Sequence, residues 1–455
     1  MWSRTEQVEL ALPIESVWEV LSDPTRLPQW HHFFESVEVT GGSSPVEGRG
    51  RYRPRGWAGT LHERTSGRFR WSASYHRLVL RQPQPAGGVH EFEWSLLATE
   101  TGCRLTQRVR VKGPPSPMFA RVAGRPSARS LPLDGVRLYR LAGGGLAPDA
   151  LRVVMAGGTG FLGQHLAADL VCRGQEVVLL TRKPDPALPF EQVAWDARTV
   201  GEWAEVFRTG RPLAVVNLAG KLVDCPPTPD NVAALRDSRV AATRALVEAT
   251  CTQAVRHWLQ ASTTAIWSDA GDRRLDESSP LPTGQAALPQ MTGVAQPWER
   301  AAEGANTDHL VWLRTSIVLA QDCPAFDRLA GLARLGAGGT VGPGDQWFSW
   351  IHLADWLAIA RSALGLGPVE LPSGVVVAAS PEPVTNAELM RLLRAELAPA
   401  RFGVPTPSPL LRVGAVALRT DPALALTGRH VTSKVLTNFP YAFPRLGSAL
   451  RDLLD

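Results

Sequence analysis

Lysine and tyrosine are scarce in this 455-residue chain. Its only lysines are Lys112, Lys183, Lys221 and Lys434, so nearly all of its 48 Lys and Arg residues are Arg. The four tyrosines are Tyr52, Tyr75, Tyr139 and Tyr441, and none lies between residues 140 and 440. Cysteine is thin as well. Cys103, Cys172, Cys225, Cys251 and Cys323 are scattered, odd in number and without metal-ligand spacing. That excludes a disulfide framework, argues against a structural zinc and fits a reducing compartment. No metal is expected. No apolar run approaches the ~18 residues of a membrane span. The opening MWSRTEQVEL lacks the basic-then-apolar layout of a secretory signal, so a cytoplasmic location is expected. The net charge of +5 is uneven: residues 1–150 carry 20 basic against 14 acidic groups, and the remainder 28 against 29. The basic excess is interleaved with acids and forms no stripe, so no nucleic-acid partner is expected.

One stretch is rich in information. Residues 151–182 read LRVVMAGGTGFLGQHLAADLVCRGQEVVLLTR. LRVVMA is a short apolar run of the kind that forms a buried parallel strand. Gly157, Gly160 and Gly163 follow at three-residue spacing, then a helical pattern that stops at Gly174, then the apolar strand QEVVLLTR. Strand, glycine turn, helix and strand make the βαβ unit that binds a dinucleotide, with the pyrophosphate on the helix N-terminus. The second strand ends in Thr181, Arg182 and Lys183, where an NAD site usually has an acid for the ribose 2′-hydroxyl. A guanidinium there grips a 2′-phosphate instead, which favours NADP(H).

The chain is long enough for two or three domains. We expect an α/β protein with an N-terminal α+β domain at 1–142, a linker at 143–150, a Rossmann doubly wound parallel sheet at 151–400 and a small C-terminal lobe at 401–455. LAGGGLAPDA, at 141–150, is a small-residue linker. Before it, RTEQVELAL, ESVEVTGG, RFRWSASYHRLVLRQ, VHEFEWSLLATE and GCRLTQRVRVKG read as antiparallel strands, and IESVWEVLSD as a short amphipathic helix. After it, AVVNLAG (214–220), HWLQASTTAIW (257–267), HLVWLRTSIVLA (309–320) and SGVVVAAS (373–380) read as strands alternating with helices, among them 231–250 and 350–365.

VELALPIESVWEVLSDPTRLPQWHHFFESVEV followed by a run of strands resembles the START-like, polyketide-cyclase-type ligand-binding superfamily, over roughly residues 1–140. The resemblance implies a helix-grip fold, a curved sheet around a long helix, with an apolar cavity. Trp18, Trp30, Trp57, Trp71 and Trp94 are candidates to line it, or are ordinary core aromatics. The closing helix is the weak point, because Pro117, Pro126 and Pro132 interrupt it. His31 and His32 have no carboxylate or cysteine at metal spacing.

Residues 151–455 resemble the extended short-chain dehydrogenase/reductase superfamily, within it the epimerase-like subfamily of the 39U type. The motifs are AGGTGFLG, LLTR, VVNLAG, DSRVAATRAL, LQASTTAIW, PWERAA, LRTSIVLA, GPGDQWFSWIHLADW and ASPEPVTNAEL. The resemblance puts Gly157, Gly158, Thr159, Gly160, Phe161, Leu162 and Gly163 at the pyrophosphate. It puts Thr181 and Arg182 at the adenosine ribose, and Leu218, Ala219 and Gly220 near the adenine and ribose. Ser262 or Thr263 supplies the hydroxyl near the nicotinamide. Arg239 and Thr243 flank the pocket, and Arg239, Trp267, Gln346, Trp347 and His352 form the substrate wall.

The superfamily's general acid/base is a Tyr with a Lys four residues later, the Lys lowering the phenol's pKa. This chain has neither in the region, and the corresponding helix reads VAQPWERAAEGA. Three readings of Glu299 compete: a general acid/base raised by burial, a first-turn helix carboxylate behind Pro297, or the partner of a cation such as Arg300 or Arg314. His352 is a second candidate acid/base. The leading expectation is an atypical NADP(H)-dependent oxidoreductase or epimerase-like protein fused to a domain for a small or apolar ligand. The alternatives are a non-catalytic NADP(H) sensor, and lipid or polyketide binding or cyclase activity in the N-terminal domain.

Overall fold

A computed structural model of the chain describes all residues except 42–45, 53–64, 85–86, 114–119, 335, 337, 398–402, 418 and 455. In the first domain, alternating residues along each strand face inward, as a half-buried antiparallel sheet requires. Its strands are β1 (Trp2–Leu10), β2 (Phe34–Gly41), β3 (Val46–Tyr52), β4 (Thr65–Ser74), β5 (Arg77–Gln84), β6 (Gly88–Thr99) and β7 (Gly102–Lys112). They form one antiparallel sheet in the order β1-β7-β6-β5-β4-β3-β2. Helix α1 (Ile14–Leu21) buries Val17, Val20 and Leu21, and α2 (Leu131–Leu141) buries Leu131, Val136 and Leu138 against the same core.

The closing helix is broken where proline predicts. A π turn at Ala120–Gly124 and one α turn at Arg125–Ala128 precede α2. Pro126 and Pro132 each sit in a first helical turn, where a missing N–H leaves no bond unmade; Pro117 lies outside the described residues. Trp30, Trp71 and Trp94 are fully buried, with Phe92 stacked on Trp94 at 5.3 Å and Trp30 edge-on to Trp94 at 5.8 Å. These rings pack on one another. Trp18 is half-buried against His76, and Trp57 lies outside the described residues.

The second domain is a doubly wound sheet of β8 (Arg152–Ala156), β9 (Glu176–Thr181), β10 (Glu191–Ala194), β11 (Leu213–Asn217), β12 (Val255–Thr263), β13 (Leu310–Thr315) and β14 (Gly374–Ala378). All neighbours pair in parallel, in the order β10-β9-β8-β11-β12-β13-β14. The order reverses direction between β8 and β11, which opens the crevice where such sheets take their ligands. Helices α3 (Phe161–Cys172), α4 (Pro229–Ala249), α5 (Thr292–Arg300) and α6 (Leu353–Ala363) belong to this domain. In the C-terminal lobe, α7 (Leu446–Leu454) packs on the helix Asn386–Leu397, burying Leu393, Leu446, Leu450 and Leu453.

Three boundaries differ from expectation. The 257–267 segment leaves the sheet at Thr263 and winds into one 3-10 turn, Thr264–Trp267. The 309–320 segment breaks at Ser316 into β13 and a short strand, Ile317–Leu319. That short strand pairs with Trp350–His352, so residues 350–365 begin extended and become helical only at Leu353.

The two domains share a seam. Ala11 N donates to Cys172 O at 2.8 Å, Arg137 Nη2 donates to Ala187 O at 2.6 Å, and Arg4 pairs with Asp322. One continuous apolar core runs from Leu131, Val136 and Leu138 into Leu166, Leu170 and Cys172. Among the described residues, no helix is long and apolar enough to cross a membrane.

Candidate dinucleotide and active site

The glycine turn is shaped by close backbone approach. Gly157 adopts a φ of +77°, and a Cβ there would meet the backbone of Leu218 at 2.6 Å. A Cβ on Gly163 would meet Gly157 O and Gly158 Cα, both at 2.6 Å, so α3 lies directly on the turn. Gly160 differs. Its Cβ would touch only Gly157 O, at 3.3 Å, leaving open space in front of α3. Gly160 is also the N-cap of α3 in extended conformation and offers no side-chain cap. The first N–H groups of α3 therefore face that space without a capping acceptor, the arrangement that receives phosphate. Gln164 Nε2 donates to Thr159 O at 2.7 Å and fixes the turn from behind.

At the end of β9, Thr181 is buried and its hydroxyl is tied to the Lys183 backbone, whereas Arg182 is exposed. No hydrogen bond or ion pair to another described residue engages its guanidinium. Leu218, Ala219 and Gly220 follow β11. They are held by a buried amide network that the sequence reading missed. Asn217 Nδ2 donates to Thr243 Oγ1 at 2.8 Å and to Gln260 Oε1 at 3.0 Å, while its Oδ1 accepts from Ala219 N at 3.1 Å. The signal was an Asn closing an apolar strand; nothing local marked Gln260 as its partner. A Cβ on Gly220 would meet Arg239 at 2.9 Å. Arg239 donates to Leu235 O and Lys221 O and lies 5.1 Å over the Trp298 ring, and burial lowers its pKa to about 10.

The chemical end is organised around Glu299. Ser262 Oγ donates to Glu299 Oε1 at 2.5 Å. Arg314 Nε and Nη2 donate to the two carboxylate oxygens, each at 2.8 Å, in a pair with side chains only 7% and 12% exposed. Arg314 also lies 4.8 Å over the Trp267 ring. Of the three sequence readings, this geometry is the ion pair with Arg314. The first-turn reading does not hold: α5 starts at Thr292, Pro297 is inside it and Glu299 is in its last turn. There the helix dipole repels a carboxylate, and Arg314 offsets the repulsion. Accepting three hydrogen bonds is a carboxylate's role, opposed to that of a proton donor.

Thr263 caps the following 3-10 turn, its Oγ1 accepting from Ala265 N at 3.1 Å, which leaves the hydroxyl proton free to donate. The turn leads to Ser268, a buried non-glycine residue at φ +54°. Its carbonyl accepts from Arg429 Nη1 at 2.5 Å. Arg429 was missed in the sequence because it lies in the C-terminal lobe, 161 residues away. Burial lowers its pKa to about 10, and Nη1 also reaches Thr427 Oγ1 at 3.2 Å.

The expected substrate wall is less coherent. Trp267 is buried, and its Nε1 donates to Ser279 O. Gln346 is spent on loop backbone, donating to Val341 O and accepting from Gly344 N. Trp347 stacks on His430 at 3.9 Å and donates to Asp272. His352 caps α6, accepting from Ala354 N at 3.2 Å, with its ring on Phe443 and its Nε2 3.2 Å from Asp452 of α7. These contacts give His352 a joining role between α6 and the C-terminal lobe. In the first domain, His31 and His32 meet Asp134, which lies 102 residues beyond His32, so that the three offer ligand atoms within 4.8 Å of one another. Arg137 and the backbone N–H of His32 already hold the Asp134 carboxylate, and Gln107 holds His31 Nε2.

Residues 153–287 match the NAD dependent epimerase/dehydratase family, and residues 1–131 match the polyketide cyclase/dehydrase and lipid transport family. The human epimerase family protein SDR39U1 is 32% identical over 315 residues, covering 67% of this chain and all of the relative. The crystal structure of that human protein (isoform 2) with NADPH aligns with a TM-score of 0.56 at 30% identity, over 67% of this chain and 99% of that one. A Corynebacterium glutamicum nucleoside-diphosphate sugar epimerase shares the fold over 100% of this chain and 90% of its own, with a TM-score of 0.60 at 22% identity.

Proposed function

Because the chain belongs to the SDR39U1-type epimerase family, with a polyketide-cyclase-type domain in front, we propose that it is an NADP(H)-dependent oxidoreductase or epimerase-like enzyme that works without a Tyr/Lys pair. The observation that carries the reading is the pairing of two features: open space in front of Gly160 at the head of α3, and an unengaged Arg182 at the end of β9. The first suits a pyrophosphate and the second a 2′-phosphate. The human relative's complex with NADPH supports the choice of NADP(H) over NAD(H).

When bound, the reduced nicotinamide supplies a hydride to a carbonyl carbon. The chain's own part begins with Thr263. Its free O–H donates to the carbonyl oxygen and stabilises the charge that develops there. Ser262, held by Glu299 and so by Arg314, fixes the end of β12 from which Thr263 projects. The proton that completes the alcohol comes from water, since α5 carries neither Tyr nor Lys. The first domain binds the apolar part of the substrate or a separate apolar ligand, in keeping with its family match.

A second reading, a non-catalytic NADP(H) sensor, is favoured by the engagement of Glu299, the one acid on α5, with Arg314. NADPH oxidation against a carbonyl panel, with Thr263→Val in parallel, separates the two. Turnover lost in the variant with NADPH affinity unchanged supports the enzyme. Tight NADPH binding with no oxidation across the panel supports the sensor.

A further inference from the structure

The basic excess of residues 1–150 plays no part in the dinucleotide reading. Arg4, Arg108, Arg110, Arg125, Arg129 and Arg137 of this segment line two clefts at the domain seam. On one side of the Arg4–Asp322 pair lies a cleft of about 350 Å³ with walls from both domains. Its apolar lining includes Leu133 from α2, Phe161 from α3 and Leu188 from the loop after β9. Its polar lining includes Arg129, His32 and His165. Across the Arg4–Asp322 pair, a second cleft of about 590 Å³ is lined by Arg108, Arg110 and Arg125 and so has the same sign.

The acids in the smaller cleft are already used. Asp322 is held by Arg4, and Asp185 accepts from Ala187 N in its own loop. Of the bases, Arg4 is paired with Asp322, and Arg137 is held by Asp134 and Ala187 O. Arg129 is exposed, and its guanidinium makes no hydrogen bond or ion pair to another described residue. The two imidazoles have their Nδ1 atoms committed: His165 Nδ1 donates to Phe161 O at 2.8 Å, and His32 Nδ1 donates to Asp134 Oδ2 at 3.1 Å. A carbonyl accepts only, so His165 carries its proton on Nδ1. Burial lowers the His165 pKa and keeps that ring neutral. Its Nε2 then presents a lone pair and has no partner among the described residues. Among the described residues, the cleft therefore combines the unengaged Arg129 guanidinium with one hydrogen-bond acceptor, His165 Nε2.

We propose that this seam cleft is a second ligand site, separate from the dinucleotide crevice, for a small oxyanion that also carries an O–H donor: hydrogen phosphate or a hydroxy acid. Arg129 binds the negative oxygens. His165 Nε2 accepts the hydroxyl proton, and Leu133 and Leu188 cover the carbon skeleton of a hydroxy acid. Phe161 belongs to both sites, so an occupant lies one side chain from the helix end that meets the pyrophosphate.

The His165 acceptor makes the site selective against sulfate, which matches hydrogen phosphate in size and charge but has no O–H near neutral pH. A site built to accept a hydroxyl rejects an analogue that lacks one. The test is calorimetry on the full chain saturated with NADPH, so that the dinucleotide crevice is filled, at constant ionic strength. Inorganic phosphate should bind saturably and at least about tenfold more tightly than sulfate, and Arg129→Glu should weaken phosphate by about tenfold. Glycerate binding more tightly than phosphate assigns a hydroxy acid; the reverse assigns hydrogen phosphate. Failure of both phosphate and glycerate to saturate, equal affinity for phosphate and sulfate, or an unaffected Arg129→Glu variant overturns the site. Were NADPH itself not to bind, the dinucleotide reading would fail on its own. The same titrations on the unliganded chain would still read the seam through Arg129→Glu.

Discussion

The two ends of the nucleotide crevice are built to different standards. At the glycine turn the backbone has the shape proposed to receive a dinucleotide: the tight turn at Gly157, the close helix at Gly163 and the open approach at Gly160, with Arg182 exposed at the end of β9. At the other end, α5 carries neither Tyr nor Lys, and its one carboxylate in reach is locked to Arg314 and Ser262. Binding and chemistry are thus separable demands on one fold. A turn that admits a phosphate depends on a few backbone positions and small residues, whereas proton transfer depends on individual side chains that can be exchanged without disturbing the sheet.

That contrast can be broken at four points. Gly160→Val should have the largest effect, putting a branched side chain into the phosphate's approach while touching only Gly157 O. NADPH affinity should fall by about 10³-fold or more, about 4 kcal/mol, with the circular dichroism spectrum unchanged. Calorimetry showing retained binding would mean that the glycines serve packing alone. Glu299→Gln leaves Arg314 buried without its counter-charge and should cost about 3 kcal/mol of stability in urea unfolding, with little change in NADPH affinity. A variant as stable as wild type would show that the pair is not holding β12 and β13 to α5. If the protein turns over, Thr263→Val should slow it by about 10²-fold at unchanged cofactor affinity. A normal rate would place the oxygen-binding hydroxyl elsewhere. The smallest expected effect is Arg182→Asp, which should weaken NADPH by about tenfold and leave NADH nearly untouched, since a charge-assisted bond is worth about 1.5–3 kcal/mol. Equal affinity of wild type for both nucleotides would remove the 2′-phosphate argument.

The turn, the alternation and the absence of Tyr and Lys were all legible because each is local: adjacent residues in a fixed period, or a residue type missing from a whole stretch. What the sequence hid depends on distance along the chain. Arg429 reaches Ser268 across 161 residues, Gln260 meets Asn217 across 43, and Asp134 meets His32 across 102. Glu299 shows an intermediate case. Arg314 was one of its candidate partners, but Pro297 suggested a helix start, while the structure tolerates that proline inside α5. The expected substrate wall differs in kind. GPGDQWFSWIHLADW looks like a concentration of functional groups, yet Gln346 bonds the backbone of Val341, Gly344 and Ala425, and His352 Nδ1 caps α6. Polar side chains in a turn-rich segment have such local partners within reach.

The apolar core that runs unbroken from α2 into α3 makes the peptide link between the halves nearly redundant. A protease nick within residues 143–149, several of them exposed, should leave two fragments that still migrate as one particle on gel filtration. A clone ending at residue 147 should behave differently. It would uncover the side of α2 that packs on α3 and self-associate or precipitate. The fused halves are then better regarded as two subunits that happen to be translated together, each the other's missing surface.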